Sequence, residues 1–256
     1  MSAIDAAYDE AVKTVESCAR KIDRACTDIA NKVNWALKFV PDPLDGRIRA
    51  EMAKLTEKQK DSEVMFSDLW LERGSAGALR DAASAWTANV GAVASEHSFQ
   101  LQFATLPSNG KWTGPAQQAY RPIVDLNSRV LGDFKNWTDD LNSTLNDLAD
   151  ALKAYWIAIG IEAVGCAATL AGCAIASGAV ATLPATIATA VGAIIAFWLA
   201  VGGATVLYHN VLDAMQAKLE KITAINGTQG RWPHAGADLS DASVLDDDES
   251  DWEPVP

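Results

Sequence analysis

Between Glu162 and Asp213 the chain carries no Asp, Glu, Lys or Arg. A surface helix of a soluble domain keeps a polar face, so this stretch excludes an ordinary amphipathic element. Histidine is scarce, with only His97, His209 and His234. No Ser-His-Asp set, His-x-x-x-His pair or phosphate-binding glycine loop can be assembled from the sequence, which leaves no catalytic residue and no enzymatic reading. His97 falls on an apolar helical seam and reads as a hydrogen-bonded core histidine. The four cysteines, Cys18, Cys26, Cys166 and Cys173, sit in pairs eight and seven residues apart within helices. At ~1.5 Å rise per residue each pair is ~10 Å or more apart, too far for a local disulfide. Buried free thiols follow, with no metal-ligand spacing and no cofactor. No basic region precedes an apolar core near Met1, so no Sec-type signal peptide is expected. No alternating run of useful length predicts a strand.

The chain has 256 residues and a net charge of −12. The charge is uneven, at −5 over residues 1–150, zero over 151–225 and −7 over 226–256. Such a balance argues against nucleic acid as a partner, and no small-molecule substrate is implied. Pro184 divides the uncharged stretch into two arms, Trp156–Leu183 and Ala185–Leu207. Each exceeds the roughly 20 apolar residues that cross a bilayer core. The arms are rich in small residues. Ala168, Gly172 and Ala176 recur every fourth position in the first, and Ala188, Gly192, Ala196, Ala200 and Ala204 in the second. On a helix these form flat stripes, the small-xxx-small mode of helix packing in membranes. Glu162 is the one ionisable group inside the first arm. It reads either as a pore-lining or pairing carboxylate or as a group at the bilayer interface.

The rest of the chain is helical by pattern. Over residues 2–40, Ile4, Tyr8, Ala11, Val15, Cys18, Ile22, Ala25, Ile29, Val33, Ala36 and Val40 alternate steps of four and three, a coiled-coil-like seam. After Pro41-Asp42-Pro43, a second helix presents Leu44, Ile48, Met52, Leu55, Ser62, Phe66 and Leu69, and Arg73-Gly74 ends it. A third presents Leu79, Ala82, Trp86, Val90, Val93, His97, Leu101 and Ala104. The fourth starts near Pro115, with Tyr120, Ile123, Val130, Trp137, Leu141, Leu145, Leu148 and Leu152, and nothing separates it from the first apolar arm. From Asn226 the pattern dissolves into a linker and an acidic run, which predicts a disordered tail. The expected fold is all-α: an elongated bundle of long antiparallel helices with an apolar helical hairpin. Its parts are an N-terminal helical hairpin (1–74), a second hairpin (75–155), the apolar hairpin (156–207), the end of the last helix (208–225) and the acidic tail (226–256).

Between the third and fourth helices stands Lys111-Trp112-Thr113-Gly114-Pro115-Ala116-Gln117-Gln118-Ala119-Tyr120. Trp112-x-Gly114, followed by small Ala116 and Ala119 and aromatic Tyr120, resembles the Trp-x-Gly, early-secreted-antigen-like family of type VII secretion substrates, over roughly residues 75–155. In that family the Trp and Gly occupy the turn of an antiparallel helical hairpin. The resemblance implies export without a Sec signal. The family's Tyr-x-x-x-Asp/Glu signal is missed by one position twice: Asp125 lies five residues after Tyr120, and Asp213 five after Tyr208.

Three functions follow as expectations. The first is a non-enzymatic, type VII-associated secreted protein whose apolar hairpin inserts into or assembles on a membrane, in the manner of a pore-former, with lipid and either self-association or a helical protein as partners. The second is a soluble all-α structural or partner-binding module with the hairpin permanently buried. The third is a resident membrane protein anchored by the hairpin. Under the first, the protein is cytoplasmic before export and secreted or membrane-associated afterwards.

Overall fold

The computed structural model describes residues 3–40, 44–225 and 253–254. The protein is an all-α bundle built from α1 (Ala3–Ala36), α2 (Leu44–Leu71), α3 (Ala76–Trp86), a π-helical turn (Thr87–Gly91), α4 (Ala92–Gln100), a 3-10 turn (Phe103–Thr105), α5 (Pro115–Ala176), a second 3-10 turn (Val180–Thr182) and α6 (Leu183–Ile225). A two-residue antiparallel bridge, β1 (Trp112–Thr113) with β2 (Glu253–Pro254), is the one strand pair among the described residues. The expected tail, 226–256, lies outside them apart from Glu253–Pro254.

The chain forms two units, each discontinuous: Met1–Gly77 with Leu148–Leu212, and Ala78–Asp147 with Asp213–Pro256. In the first unit the predicted seam of α1 is the buried one. Tyr8, Ala11, Val15, Cys18, Ile22, Ala25, Ile29, Val33 and Ala36 all lie inside. Steps of four and three keep these side chains on one face for the whole helix. From α2, Ile48, Leu55, Ser62 and Phe66 are buried as read, while Met52 and Leu69 are half-buried. Gly74 closes the helix end at φ 67°, a conformation open chiefly to glycine. Against α1 and α2 pack the C-terminal half of α5 and the N-terminal half of α6, through Trp156, Ile159, Leu170, Leu183, Ile187, Ile194 and Phe197.

The hairpin turns earlier than Pro184 suggested. The helix α5 stops at Ala176, where Ser177 donates its hydroxyl to the Ala174 carbonyl at 2.7 Å and its N–H to that of Cys173. Gly178 and a 3-10 turn follow, and Pro184 lies in the first turn of α6. A proline there loses no helical hydrogen bond, because the first N–H groups of a helix have no partner. It starts the second arm and does not end the first.

In the second unit the third predicted helix is broken by the π turn. Its buried face is also not the expected one. Ala83, Gly91 and Ala94 are inside, whereas Trp86 and Val93 are exposed. Small residues decide this face because α5 comes very close. A Cβ at Gly91 would stand 2.1 Å from the Thr138 hydroxyl. The contact is polar as well as tight. Asn142 donates its side-chain amide to the Thr87 hydroxyl at 2.7 Å, and Arg80 bonds Asn146 at 3.2 Å. Ser98 and Ser128 exchange hydroxyl-to-carbonyl bonds at 2.7 and 2.8 Å. His97, expected in the core, is exposed and bonded to Gln100 through its ring Nδ1 at 3.2 Å. It belongs to the same displaced face, one position from Ser98.

Candidate functional site

The apolar hairpin has two unlike faces. The inner one carries the large side chains packed on α1 and α2. The outer one carries the small-residue stripes and remains uncovered within the unit. Ala168, Gly172, Ala176, Ala188, Gly192 and Ala196 are exposed, and Ala200 and Ala204 are half-buried. A Cβ added at Gly165, Gly172, Gly192, Gly202 or Gly203 would meet nothing within 4 Å. These residues therefore do not bring α5 and α6 together. Where the two arms meet at their base, Tyr155 stacks on Tyr208 at 5.1 Å and its hydroxyl lies 3.1 Å from that of Thr205. Large apolar groups are exposed on the hairpin as well: Leu199 (72% exposed), Val206 (60%) and Leu207 (68%), with Ile161 (66%) and Ile175 (79%) at its edge toward α1. Glu162 is exposed beside Ile161.

Among the described residues, two helices are long and apolar enough to cross a membrane. The relevant window is 44% buried in the helix ending at Ala176 and 22% buried in the one from Val180 to Lys221. A helix serving only as a core would bury most of such a window.

Helix α2 holds the inner face through aromatic residues. Phe66 meets Trp198 edge-on at 4.9 Å and stacks on Phe197 at 5.6 Å, and Trp70 stacks on Trp156 at 5.5 Å. The indole N–H of Trp198 donates to the Ser62 hydroxyl at 2.7 Å, and Ser62 donates its own hydroxyl hydrogen bond to the Lys58 carbonyl at 2.8 Å. The Trp156 N–H and the Tyr8 hydroxyl both donate to the Arg73 carbonyl, at 3.2 and 2.9 Å. These bonds satisfy a carbonyl left open beyond the end of α2. Near the hairpin tip, Lys32 of α1 donates its ammonium to the Ala174 carbonyl at 2.5 Å. None of these contacts was readable from spacing, because each joins residues at least 65 apart or lies in a cluster that does. The nearest signal was the presence of Trp70, Trp156 and Trp198 in or beside otherwise apolar stretches.

All four cysteines are free and buried, as expected. Burial pushes the Cys26 thiol up to about 12, with the neighbouring thiols of Cys166 and Cys173 and the Asp23 carboxylate adding to the effect. Cys18 is raised for the same first reason. Buried thiols of this kind are unreactive at neutral pH. Among the described residues no group of three His, Cys, Asp or Glu is placed to hold a metal ion.

The Trp112–Tyr120 segment does join two long helical stretches. Gly114 has φ 111°, which only glycine adopts without strain, and its carbonyl accepts the Gln118 N–H as the first bond of α5. The Trp112 and Thr113 backbone pairs with Pro254 and Glu253. Tyr120 is exposed. The side chains of Trp112, Ala116 and Ala119 lie outside the described ones. On the preceding side Phe103 is buried under the Arg121 guanidinium, which sits 5.4 Å from the ring centre.

No family model matches the chain, and neither does any curated protein or solved structure.

Proposed function

We propose that this chain acts without catalysis, as a helical protein of the type VII export class whose apolar hairpin inserts into or assembles on a membrane. The observation that carries the reading is the half-covered hairpin. Both arms, Trp156–Ala176 and Leu183–Leu207, reach the roughly 20 residues of a bilayer crossing, yet large side chains from Ile161 to Leu207 face outward. An uncovered apolar surface of this kind marks a contact site for lipid or protein. The export part of the reading rests on Trp112-x-Gly114 and on the left-handed Gly114 at the start of α5.

Full insertion requires the hairpin to part from α1. That helix has eleven charged side chains, and each costs roughly 2.5–3.5 kcal/mol at a bilayer centre. Parting exchanges the inner-face contacts of Leu170, Ile187 and Phe197 for lipid tails, which are about as apolar as Leu. The hairpin's own apolar burial is then largely restored, and the barrier lies in uncovering the facing side chains of α1 and α2, Phe66 among them, and in the bonds at Ser62, Arg73 and Lys32. Once free, the glycine and alanine stripes meet their counterparts in other copies and form the close contacts they do not make within the folded chain.

The test is dye release and flotation with liposomes, alongside fractionation of the host into medium, membrane and cytosol. Binding and leakage are expected. Failure to bind lipid under any condition removes the reading. A second reading, a soluble module with the hairpin as core, is favoured by the packing of the inner face, where Leu170, Leu183, Ile187 and Ala190 are fully buried. It requires a second copy or a helical partner over Ile175 and Leu199.

A further inference from the structure

A cleft of about 500 Å³ runs between α1 and α5. That volume is in the range of small-molecule sites, roughly 300–1,000 Å³. Its α5 wall is apolar, built by Val164, Ala167, Ala171 and Ile175. Its α1 wall carries Lys21, Arg24 and Lys32, with one carboxylate, Asp28. The spacing 21, 24, 28, 32 places all four on one stripe of the helix. Lys32 is engaged with the Ala174 carbonyl. Lys21 and Arg24 form no salt bridge among the described residues and are exposed. The edge of the cleft is therefore net positive above an apolar floor. Past Val164 the same cleft continues toward the base of the hairpin as a second cavity of about 440 Å³, lined by Ile157, Gly160 and Ile161 against Ala7, Ala11 and Thr14. There the charged group is Glu10. Cationic groups thus sit at one end only, the end toward the hairpin tip, and the apolar trough leads away from them.

We propose that this cleft binds one anionic phospholipid, its phosphodiester on Lys21, Arg24 and Lys32 and an acyl chain along Val164, Ala171 and Ile157. The assignment follows from charge complementarity. A zwitterionic headgroup would bring a cation of its own to the positive rim, and a free anion would leave the apolar floor unused. The Asp28 carboxylate stands between Arg24 and Lys32 and offsets one of the three cations, which leaves the rim net positive. The inference rests on the membrane reading and deepens it: anionic lipid is held at the seam between α1 and the hairpin, where the two must separate.

The experiment has two arms. In the first, the folded full-length protein is titrated calorimetrically with dihexanoyl-phosphatidylglycerol below its micelle concentration, and with its phosphatidylcholine counterpart and inorganic phosphate as comparisons. One glycerol lipid per chain is expected, at least tenfold tighter than either comparison. The combined variant Lys21→Gln, Arg24→Gln, Lys32→Gln loses that binding. Ala171→Phe, which fills the floor and keeps every charge, loses it too. Equal binding by wild type and both variants overturns the proposal, and so does inorganic phosphate binding as tightly as the lipid. In the second arm, partition onto vesicles containing phosphatidylglycerol falls by roughly 100-fold in the triple variant, at ~1 kcal/mol per cation near an anionic surface. The control Arg47→Gln, Lys54→Gln, Lys60→Gln has the same net charge and stays within about fivefold of wild type. If wild type partitions equally onto purely zwitterionic vesicles and the triple variant is unchanged, the headgroup assignment fails while the membrane reading stands. If wild type binds no vesicle at all, both fail.

Discussion

Replacing Phe66 by Ala separates the stability of the closed form from its membrane activity. Phe66 is buried between Phe197 and Trp198 and stands one turn from Ser62, which accepts the Trp198 N–H. Truncating a buried Phe costs about 3–5 kcal/mol, part of it from lost ring contacts worth ~0.5–1.5 kcal/mol each. The loss falls almost wholly on the contact between α2 and the hairpin. At 1.4 kcal/mol per factor of ten, the population with the hairpin released rises roughly 100- to 4,000-fold. Apparent melting should drop by roughly 6–20 °C for a chain of this size. The informative assays are hydrogen exchange over Leu183–Val201 and dye release from vesicles, on the same preparation. Exchange and leakage are both expected to speed up while melting falls. If melting falls and exchange rises but leakage is unchanged or lower, release of the hairpin from α2 is not the step that gates membrane action.

Gly91→Ala should destabilise the second unit by about 1–3 kcal/mol, because its Cβ enters the space of the Thr138 hydroxyl; pairing it with Thr138→Gly should restore most of the melting temperature. The Cys26 thiol is held neutral by burial, with its ordinary value near 9 raised to about 12. The unfolded chain releases that proton first, so stability is full below pH ~9 and falls by about 1 kcal/mol per pH unit from there toward 12. Denaturant midpoints measured across that window check the sign, and Cys26→Ser should flatten the slope. Gly114→Val forces a branched residue into φ 111° and should cost about 1–3 kcal/mol at the start of α5, read as lost helicity and melting. Gly192→Leu, with open space around its added side chain, should leave melting within ~0.5 kcal/mol of wild type while reducing oligomer formation in liposomes; unchanged assembly would show that the stripe is not an interface.

Helix α1 was legible because one face of a long helix is buried along its whole length, so the apolar steps from Tyr8 to Ala36 map directly onto contact. The third helix was not, because there the size of the side chain misleads. Close approach at Gly91 and Thr138 places small and polar groups inside and sends Trp86 and His97 outward. Pro184 looked like the divider of the arms because proline often ends helices, yet in the first turn of α6 it removes no bond, and the break comes from Ser177 and Gly178. The two faces of the hairpin were hidden because both are apolar and periodicity has nothing to contrast. Side-chain size holds part of the missing signal: Trp156, Leu170, Ile187 and Phe197 lie inward and the two small-residue stripes lie outward, but Ala163 and Ala190 are also inside and Ile175 and Leu199 outside. The aromatic grip of α2 depends on contacts between residues over 80 positions apart, which no local pattern encodes.

The arrangement of charge also orders the events at a membrane. The outer face of the hairpin is apolar and open, so Leu199, Val206 and Leu207 can touch lipid with no change in the fold. The charged helix α1 lies on another side of the same hairpin, parallel to α5, from Ala7 beside Ile157 to Lys32 beside Ala174. Its eleven charged groups keep it in water. Contact through the outer face is therefore available to the closed form, whereas crossing is not. At α1 the bonds opposing release are few, and the Lys32 ammonium is the one nearest the tip. An anionic phosphate that draws Lys32 away from the Ala174 carbonyl removes that bond at the end of the hairpin where entry into the bilayer begins. Lys32→Met tests the order of events without altering the outer face. It deletes the bond permanently, so the closed form should open more readily in solution while losing much of its preference for anionic over zwitterionic vesicles. A variant that opened no faster, yet lost its preference, would assign Lys32 to lipid binding alone and leave the aromatic contacts of α2 as the whole of the gate.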